Sequence, residues 1–150
     1  MIEDKKQTEE EQQEAPGELM TLIVPSHPKF LYVIRSALYP VLIDAGFSRR
    51  SARKIILAVD EACSNIIKYS YEGDHTKTIT MVVRSDNVRI VIRLRDFGKR
   101  VDTTKIAPRR LEDVRPGGLG THFMGAVFDR VEYDTSQGSG TLLTLEKAIS

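Results

Sequence analysis

The stretch Ser51-Ala52-Arg53-Lys54-Ile55-Ile56-Leu57-Ala58-Val59-Asp60-Glu61-Ala62-Cys63-Ser64-Asn65-Ile66-Ile67-Lys68-Tyr69 decides the fold. At about 100° per residue, Ile55, Ile56, Val59, Ala62, Cys63, Ile66 and Ile67 form one apolar arc, the pattern of an amphipathic helix. Ser48 is a good N-cap for it, and the pattern runs to about Tyr69. Glu61 and Asn65 lie one turn apart, about 40° from each other, on the flank of that arc. Two polar side chains stacked in this way can converge on one point. A carboxylate and an amide oxygen suit a hard cation such as Mg²⁺ with its waters. A carboxylate can also act as general base on a hydroxyl. Taken alone, E-x-x-x-N is better read as a solvated helix face, so the neighbouring elements must decide. Asp60 and Ser64 read as surface or helix-edge residues.

Toward the N-terminus, Phe30 to Ala45 carries helical spacing at Leu31, Ile34, Leu38, Leu42 and Ala45, with Gly46 as a stop. Pro40 inside it predicts a kink or break. An apolar stretch at its start (Phe30, Leu31, Tyr32, with Leu38) reads as core or interface, with core the default. Met20 to Val24 reads as a strand closed by Pro25. Residues 1–17 are mostly Glu, Gln and Lys and read as a mobile, acidic, disordered tail, which leaves 18–150 as one domain.

Toward the C-terminus, Thr78–Arg84 and Val88–Arg95 read as strands joined by Ser85-Asp86-Asn87. In the second, Val88, Ile90, Ile92 and Leu94 face one way and Arg89, Arg93 and Arg95 the other. Asp96-Phe97-Gly98 follows. An Asp at a strand end can accept a hydrogen bond from an exocyclic amine such as adenine's, and Gly98 lets a flat ring approach the backbone; a strand-ending turn explains the same residues without a ligand. Phe97 to Gly117 is irregular, rich in Arg and Lys, and reads as a lid or binding loop. It ends in Arg115-Pro116-Gly117-Gly118-Leu119-Gly120-Thr121-His122. Free amides at the start of the helix that follows, about Leu119 to Val127, make an anion site. The spacing is not that of a Walker-type loop. Strands near Asp129–Thr135 and Gly140–Lys147 close the chain, joined by Ser136-Gln137-Gly138-Ser139. Thr141, after Gly138-Ser139-Gly140, can hydrogen-bond a ligand, though for the stretch taken alone a hairpin turn is the better reading.

The element order β α α β β, lid, α β β implies an α+β fold. It is a two-layer sandwich with a mixed, mostly antiparallel sheet and helices on one face. The chain has 150 residues, 41% of them hydrophobic, as one ordinary globular domain would. Residues 1–18 carry seven acidic and two basic side chains, so the 20 basic and 14 acidic side chains of 19–150 leave the domain mildly basic. That charge suits phosphates or an acidic partner. No Lys/Arg stripe is interleaved with aromatic residues, which argues against nucleic acid. No apolar run approaches the roughly 20 residues that span a bilayer. A single cysteine, Cys63, and an N-terminus without an apolar leader fit a cytoplasmic protein.

Each motif is weak, but their order and placement are specific. E-x-x-x-N on a helix, D-x-G after a strand, a lid ending in G-G-L-G, and G-x-G-T into a strand resemble the Bergerat-type ATP-binding fold. Gyrase-like ATPases, sensor histidine kinases and small bacterial serine kinases share it. Ala58-Val59-Asp60-Glu61-Ala62-Cys63-Ser64-Asn65-Ile66, Gly117-Gly118-Leu119-Gly120 and Phe128-Asp129-Arg130-Val131-Glu132-Tyr133 are similar to the last group, the anti-sigma-factor serine/threonine kinases. The resemblance covers about residues 19–147. It implies that Glu61 is the general base and Asn65 a Mg²⁺ ligand. It implies that Asp96 meets the adenine amine with Gly98 beside the ring. Gly117, Gly118, Leu119, Gly120 and Thr121 would hold the phosphates, and Thr141 would support the Asp96 end. Its cofactors are ATP and Mg²⁺. Its partners are a sigma factor and an anti-anti-sigma antagonist phosphorylated on Ser or Thr, with room for a homodimer. Arg100 departs from the pattern, standing where wider relatives have a second glycine.

Two other functions compete. One is a partner-switch module that holds ATP without transferring phosphate, or acts on a non-sigma target. The other is a histidine-kinase fragment, which needs an acceptor histidine on a helical hairpin. His27, His75 and His122 lie in a turn, a loop and a glycine-rich helix start, so this reading is disfavoured.

Overall fold

The structure, a computed structural model, describes residues 17–99, 118–136 and 138–149, with backbone alone at 118–122. Strands β1 (Gly17–Pro25), β2 (Thr78–Ser85), β3 (Arg89–Asp96), β4 (Arg130–Asp134) and β5 (Thr141–Ala148) form one sheet in the order β1-β2-β3-β5-β4. All four neighbouring pairs are antiparallel, so the sheet is antiparallel throughout rather than mixed. Helices α1 (Leu31–Ala45), α2 (Arg49–Asn65) and α3 (Gly118–Val127), with short helical turns at Pro28–Phe30 and Ile66–Ser70, complete the described elements, and α2 packs against both other helices.

Local chemistry explains the boundaries. Ser48 has extended backbone, and its Oγ accepts the Ser51 N–H at 3.1 Å, a side-chain cap that starts α2. Gly46, at φ 114°, ends α1 in the left-handed conformation that glycine adopts freely. Pro40 does not break α1. It is exposed, and the Ser36 carbonyl it leaves without a helical partner is on an exposed residue too. The turn before β3 is held by Asp86, whose Oδ1 accepts the Val88 and Arg89 N–H groups at 2.7 and 2.8 Å. Val88 therefore stays outside the strand and 61% exposed, contrary to the expected alternation. The strand's outer face also differs from the simple pattern. Val91 is buried there between its cross-strand neighbours Arg84 and Glu146.

The inner face of the sheet carries Ile79, Met81, Val83, Ile90, Ile92, Leu94, Leu143 and Leu145, all buried. Leu31, Ile34, Leu38 and Leu42 of α1 join the same core, as do Ile55, Val59 and Cys63 of α2 and Met124 of α3. Leu31 and Leu38 are thus core as expected, while Tyr32 on the same helix is 57% exposed. Burial pushes the Cys63 thiol up to about 12, so it behaves as a small apolar group. Leu38 has no exposed surface and sits mid-helix, so Leu38→Ala is expected to cost about 2–5 kcal/mol, read by urea unfolding. No helix among the described residues is long and apolar enough to cross a membrane.

Of the tail expected over residues 1–17, only Gly17 is described, and it pairs with Ser85 at the start of β1. Residues 1–16 and most of the expected lid, 100–117, lie outside the described residues.

Candidate functional site

The helix that decided the fold ends where the site begins. Glu61 and Asn65 are half-buried on α2, and Asn65 is its last residue. Neither side chain is engaged by another described residue, which leaves the carboxylate and the amide open. The chain then widens into one π turn, Ile66–Ser70, closed by the Tyr71 N–H donating to the Ile66 carbonyl at 2.9 Å. Wide turns of this kind cluster at functional positions because they displace the following residues from helical register.

Here the displaced residues grip the end of β3. Tyr71 is buried, and its hydroxyl accepts the Phe97 N–H at 2.9 Å and donates to the Thr78 carbonyl at 2.6 Å. The Ser70 carbonyl accepts the Lys99 N–H at 2.7 Å. A Cβ on Gly98 would stand 2.2 Å from that same carbonyl oxygen, well inside contact distance. Gly98 was expected to make room for a flat ring. In the structure it makes room first for the Ser70 backbone.

Asp96 closes β3 with only 2% of its surface exposed. Its carboxyl accepts the Gly98 N–H at 3.0 Å and the Thr141 N–H. Burial raises the Asp96 pKa above the ordinary carboxylate value, against the lowering effect of those amides and of Arg95. Its backbone is fixed from the other side by Gly140, at φ 73°, where a Cβ would stand 2.0 Å from the Asp96 carbonyl oxygen. Gly140 is therefore required twice, for its left-handed backbone and for this approach. Thr141 is 2% exposed, and its Oγ1 has no hydrogen-bond partner among the described residues. A buried hydroxyl without a partner costs about 1–3 kcal/mol, a cost that a bound polar group removes. Gly140→Ala is expected to lower the melting temperature and to weaken nucleotide binding at least tenfold together, because one clash moves both strand ends. Calorimetry and thermal unfolding on the same sample check it.

Gly118, Leu119, Gly120 and Thr121 form the first turn of α3, where helix geometry leaves amides without a partner one turn back. Those amides, with the positive end of the helix dipole, suit an anion. Gly117 lies outside the described residues, as do the lid arginines. The structure therefore links Glu61 and Asn65 to Asp96, Gly98 and Thr141 through one segment, Ile66–Tyr71. Tyr71 and Ser70 were not legible as site residues. Helical periodicity fades near Tyr69, and no pattern announces a π turn.

Among the described residues no group of three or more His, Cys, Asp and Glu side chains forms a metal cage. The donor set offered is one carboxylate, one amide, helix-start amides, a buried carboxyl and an orphan hydroxyl. It fits a ligand with an amine at one end and phosphates, with their own cation, at the other. Beside that donor set, an antiparallel sheet and the packed pair α2 and α3 make a two-layer α+β domain.

The chain belongs to the histidine kinase-like ATPase domain family, whose model matches residues 24–147. Curated relatives named serine-protein kinase RsbW include one from Halalkalibacterium halodurans, 25% identical over 138 residues, covering 87% of this chain and 83% of the relative. Another, from Listeria innocua, is 26% identical over 133 residues, covering 83% of this chain and 85% of the relative. Two solved structures share the fold at 14% identity. The chain of the RsbU and RsbW domains of Rv1364c from Mycobacterium tuberculosis aligns with TM-score 0.59, over 86% of this chain but only 32% of that longer one. The SiaB-SiaC complex from Pseudomonas aeruginosa aligns with TM-score 0.61, over 99% of this chain and 96% of its counterpart.

Proposed function

We propose that this chain is an ATP-dependent serine/threonine protein kinase that acts as an anti-sigma factor in a partner-switching pathway. Its substrate is an anti-anti-sigma antagonist, phosphorylated on a seryl or threonyl hydroxyl. The observation that carries the reading is the pairing of Asp96 and Thr141. A buried carboxyl and a buried, unpartnered hydroxyl stand side by side, tied by Ser70 and Tyr71 to the helix that bears Glu61 and Asn65.

In this reading the Asp96 carboxylate accepts the adenine amine and Thr141 Oγ1 completes that end. Gly98 keeps the loop flat beneath the ring. Asn65 helps to hold Mg²⁺, which when bound neutralises phosphate oxygens; a cation of this kind takes few protein ligands and keeps several waters. Amides at Gly117–Thr121 hold the phosphates. Glu61 accepts the proton of the attacking hydroxyl as the oxygen bonds to the γ-phosphorus and ADP leaves. The protein's contribution is mostly placement and charge neutralisation. The relatives' names support the kinase reading, and a sigma factor, a homodimer and a cytoplasmic location belong to the same proposal.

The test is transfer of labelled γ-phosphate to a purified anti-anti-sigma protein encoded in the same genome. Stoichiometric label on a Ser or Thr supports the reading. Tight Mg·ATP binding with no label on any such protein favours the non-transferring module instead.

A further inference from the structure

The first six residues of α2, Arg49 to Lys54, include four cations: Arg49, Arg50, Arg53 and Lys54. All four are exposed, and none forms an ion pair with a described residue. The first turn holds no acidic residue. Two rules are broken together. The helix dipole disfavours cations at the N-terminus, and like charges three or four residues apart repel, as Arg49–Arg53 and Arg50–Lys54 do. Elsewhere Arg35, Arg84, Arg89 and Arg130 have acidic partners, while Arg93 on β3 stands exposed and single rather than in a cluster. Local rules broken without a compensating contact mark functional positions.

On the same face, one turn beyond, Leu57 is 52% exposed on a helix whose other large aliphatics are turned inward. At about 100° per residue, Arg50, Arg53, Lys54, Glu61 and Ser64 all fall within roughly 60° of Leu57. The stripe from Arg50 to Glu61 is about 16 Å long, and Leu57 lies about 6 Å before Glu61 along the axis. A macromolecule that brings a hydroxyl to Glu61 along this face covers Leu57 and reaches the cations.

We infer that the exposed face of α2 from Arg50 to Leu57 is the docking surface of the phospho-acceptor protein, which meets it with an acidic surface surrounding one apolar contact. This rests on Glu61 as the base, since that role is what places the acceptor on this face. The partner's charge follows by complementarity. A protein is favoured over nucleic acid because the stripe is centred on an exposed leucine rather than on an aromatic stack.

The test uses the full chain, the anti-anti-sigma protein of its own genome, and the variants Arg50→Glu/Arg53→Glu and Leu57→Ala. Affinity, phosphoryl transfer and the melting temperature of the free protein are measured separately. The double variant is expected to bind the acceptor at least tenfold more weakly, with a shallower salt dependence. It should also melt about 2 °C higher or more, because the dipole conflict is relieved. Leu57→Ala should weaken docking several-fold without altering Mg·ATP affinity. Unchanged acceptor affinity overturns the proposal. So does a lowered melting temperature in the double variant, which makes the cations structural. Loss of self-association in place of acceptor binding overturns it in favour of a second copy, and loss of duplex DNA binding in favour of nucleic acid. Wild type that docks through this face yet transfers no phosphate supports the surface and overturns the kinase reading alone.

Discussion

Glu61→Gln is expected to lower phosphoryl transfer by about 10²–10⁴-fold while Mg·ATP affinity stays within about threefold of wild type. The split follows from placement. Glu61 stands one turn before Asn65 on α2, half-exposed, with no described partner to lose. Replacing its carboxylate by an amide keeps shape and removes the proton acceptor. Nothing in the core or at Asp96 depends on it, so folding and nucleotide binding should persist. Single-turnover transfer with saturating ATP isolates the chemical step. A Glu61→Gln protein that transfers at the wild-type rate excludes Glu61 as the base. One that loses ATP binding in parallel with transfer assigns it to nucleotide binding instead.

The second large effect belongs to Asp96. Asp96→Asn is expected to weaken ATP binding tenfold or more, about 1.4 kcal/mol, as a charge-assisted bond to the amine becomes a neutral one. The fold should survive, because an amide oxygen still accepts the Gly98 N–H at the 3.0 Å position. The pH behaviour is distinctive. Burial raises the Asp96 pKa in the folded protein above its ordinary value of 3.8. Folding therefore favours the neutral carboxyl more than the unfolded chain does. Its contribution to stability is complete below the ordinary carboxylate range and is lost as pH rises through the raised folded value. Without ligand, wild type should gain stability relative to Asp96→Asn as pH falls through that raised value. ATP affinity should run the opposite way, since the amine needs the ionised carboxylate, and should decline through the same value. Melting curves at several pH values with and without Mg·ATP show both slopes. Parallel slopes in wild type and variant would remove Asp96 from the pocket.

Much of this was legible in the sequence, for specific reasons. The arc on α2, the Ser48 cap and the Gly46 stop are local signals, and each formed as read. The strands around Thr78–Asp96 announced themselves by alternation and by the Asp86 turn. The motif order then supplied the family. What stayed hidden depended on distant contacts. Pro40 looked like a break, but a proline on an exposed helix face is tolerated when its freed carbonyl also faces outward. Val88 was read with the inward-facing residues of its strand, yet the Asp86 turn leaves it outside the strand and exposed. Gly98 and Gly140 looked like turn residues, and their sharper requirement, the backbone of Ser70 and of Asp96, appears only when segments far apart in sequence meet. Tyr71 carries no sequence signal at all, because its role is defined by two partners, Thr78 and Phe97, seven and 26 positions away.

The proposed Mg·ATP site is built from Asp96, Thr141, Asn65 and the start of α3. Isothermal titration of the full chain tests it most directly, with ATP in Mg²⁺, with ATP in excess chelator, and with GTP in Mg²⁺. One Mg·ATP should bind per chain. Binding should weaken in chelator. GTP, which turns a carbonyl oxygen toward the Asp96 carboxylate where adenine offers an amine, should bind at least about tenfold more weakly. No ATP binding, or equal affinity for ATP and GTP, would contradict it.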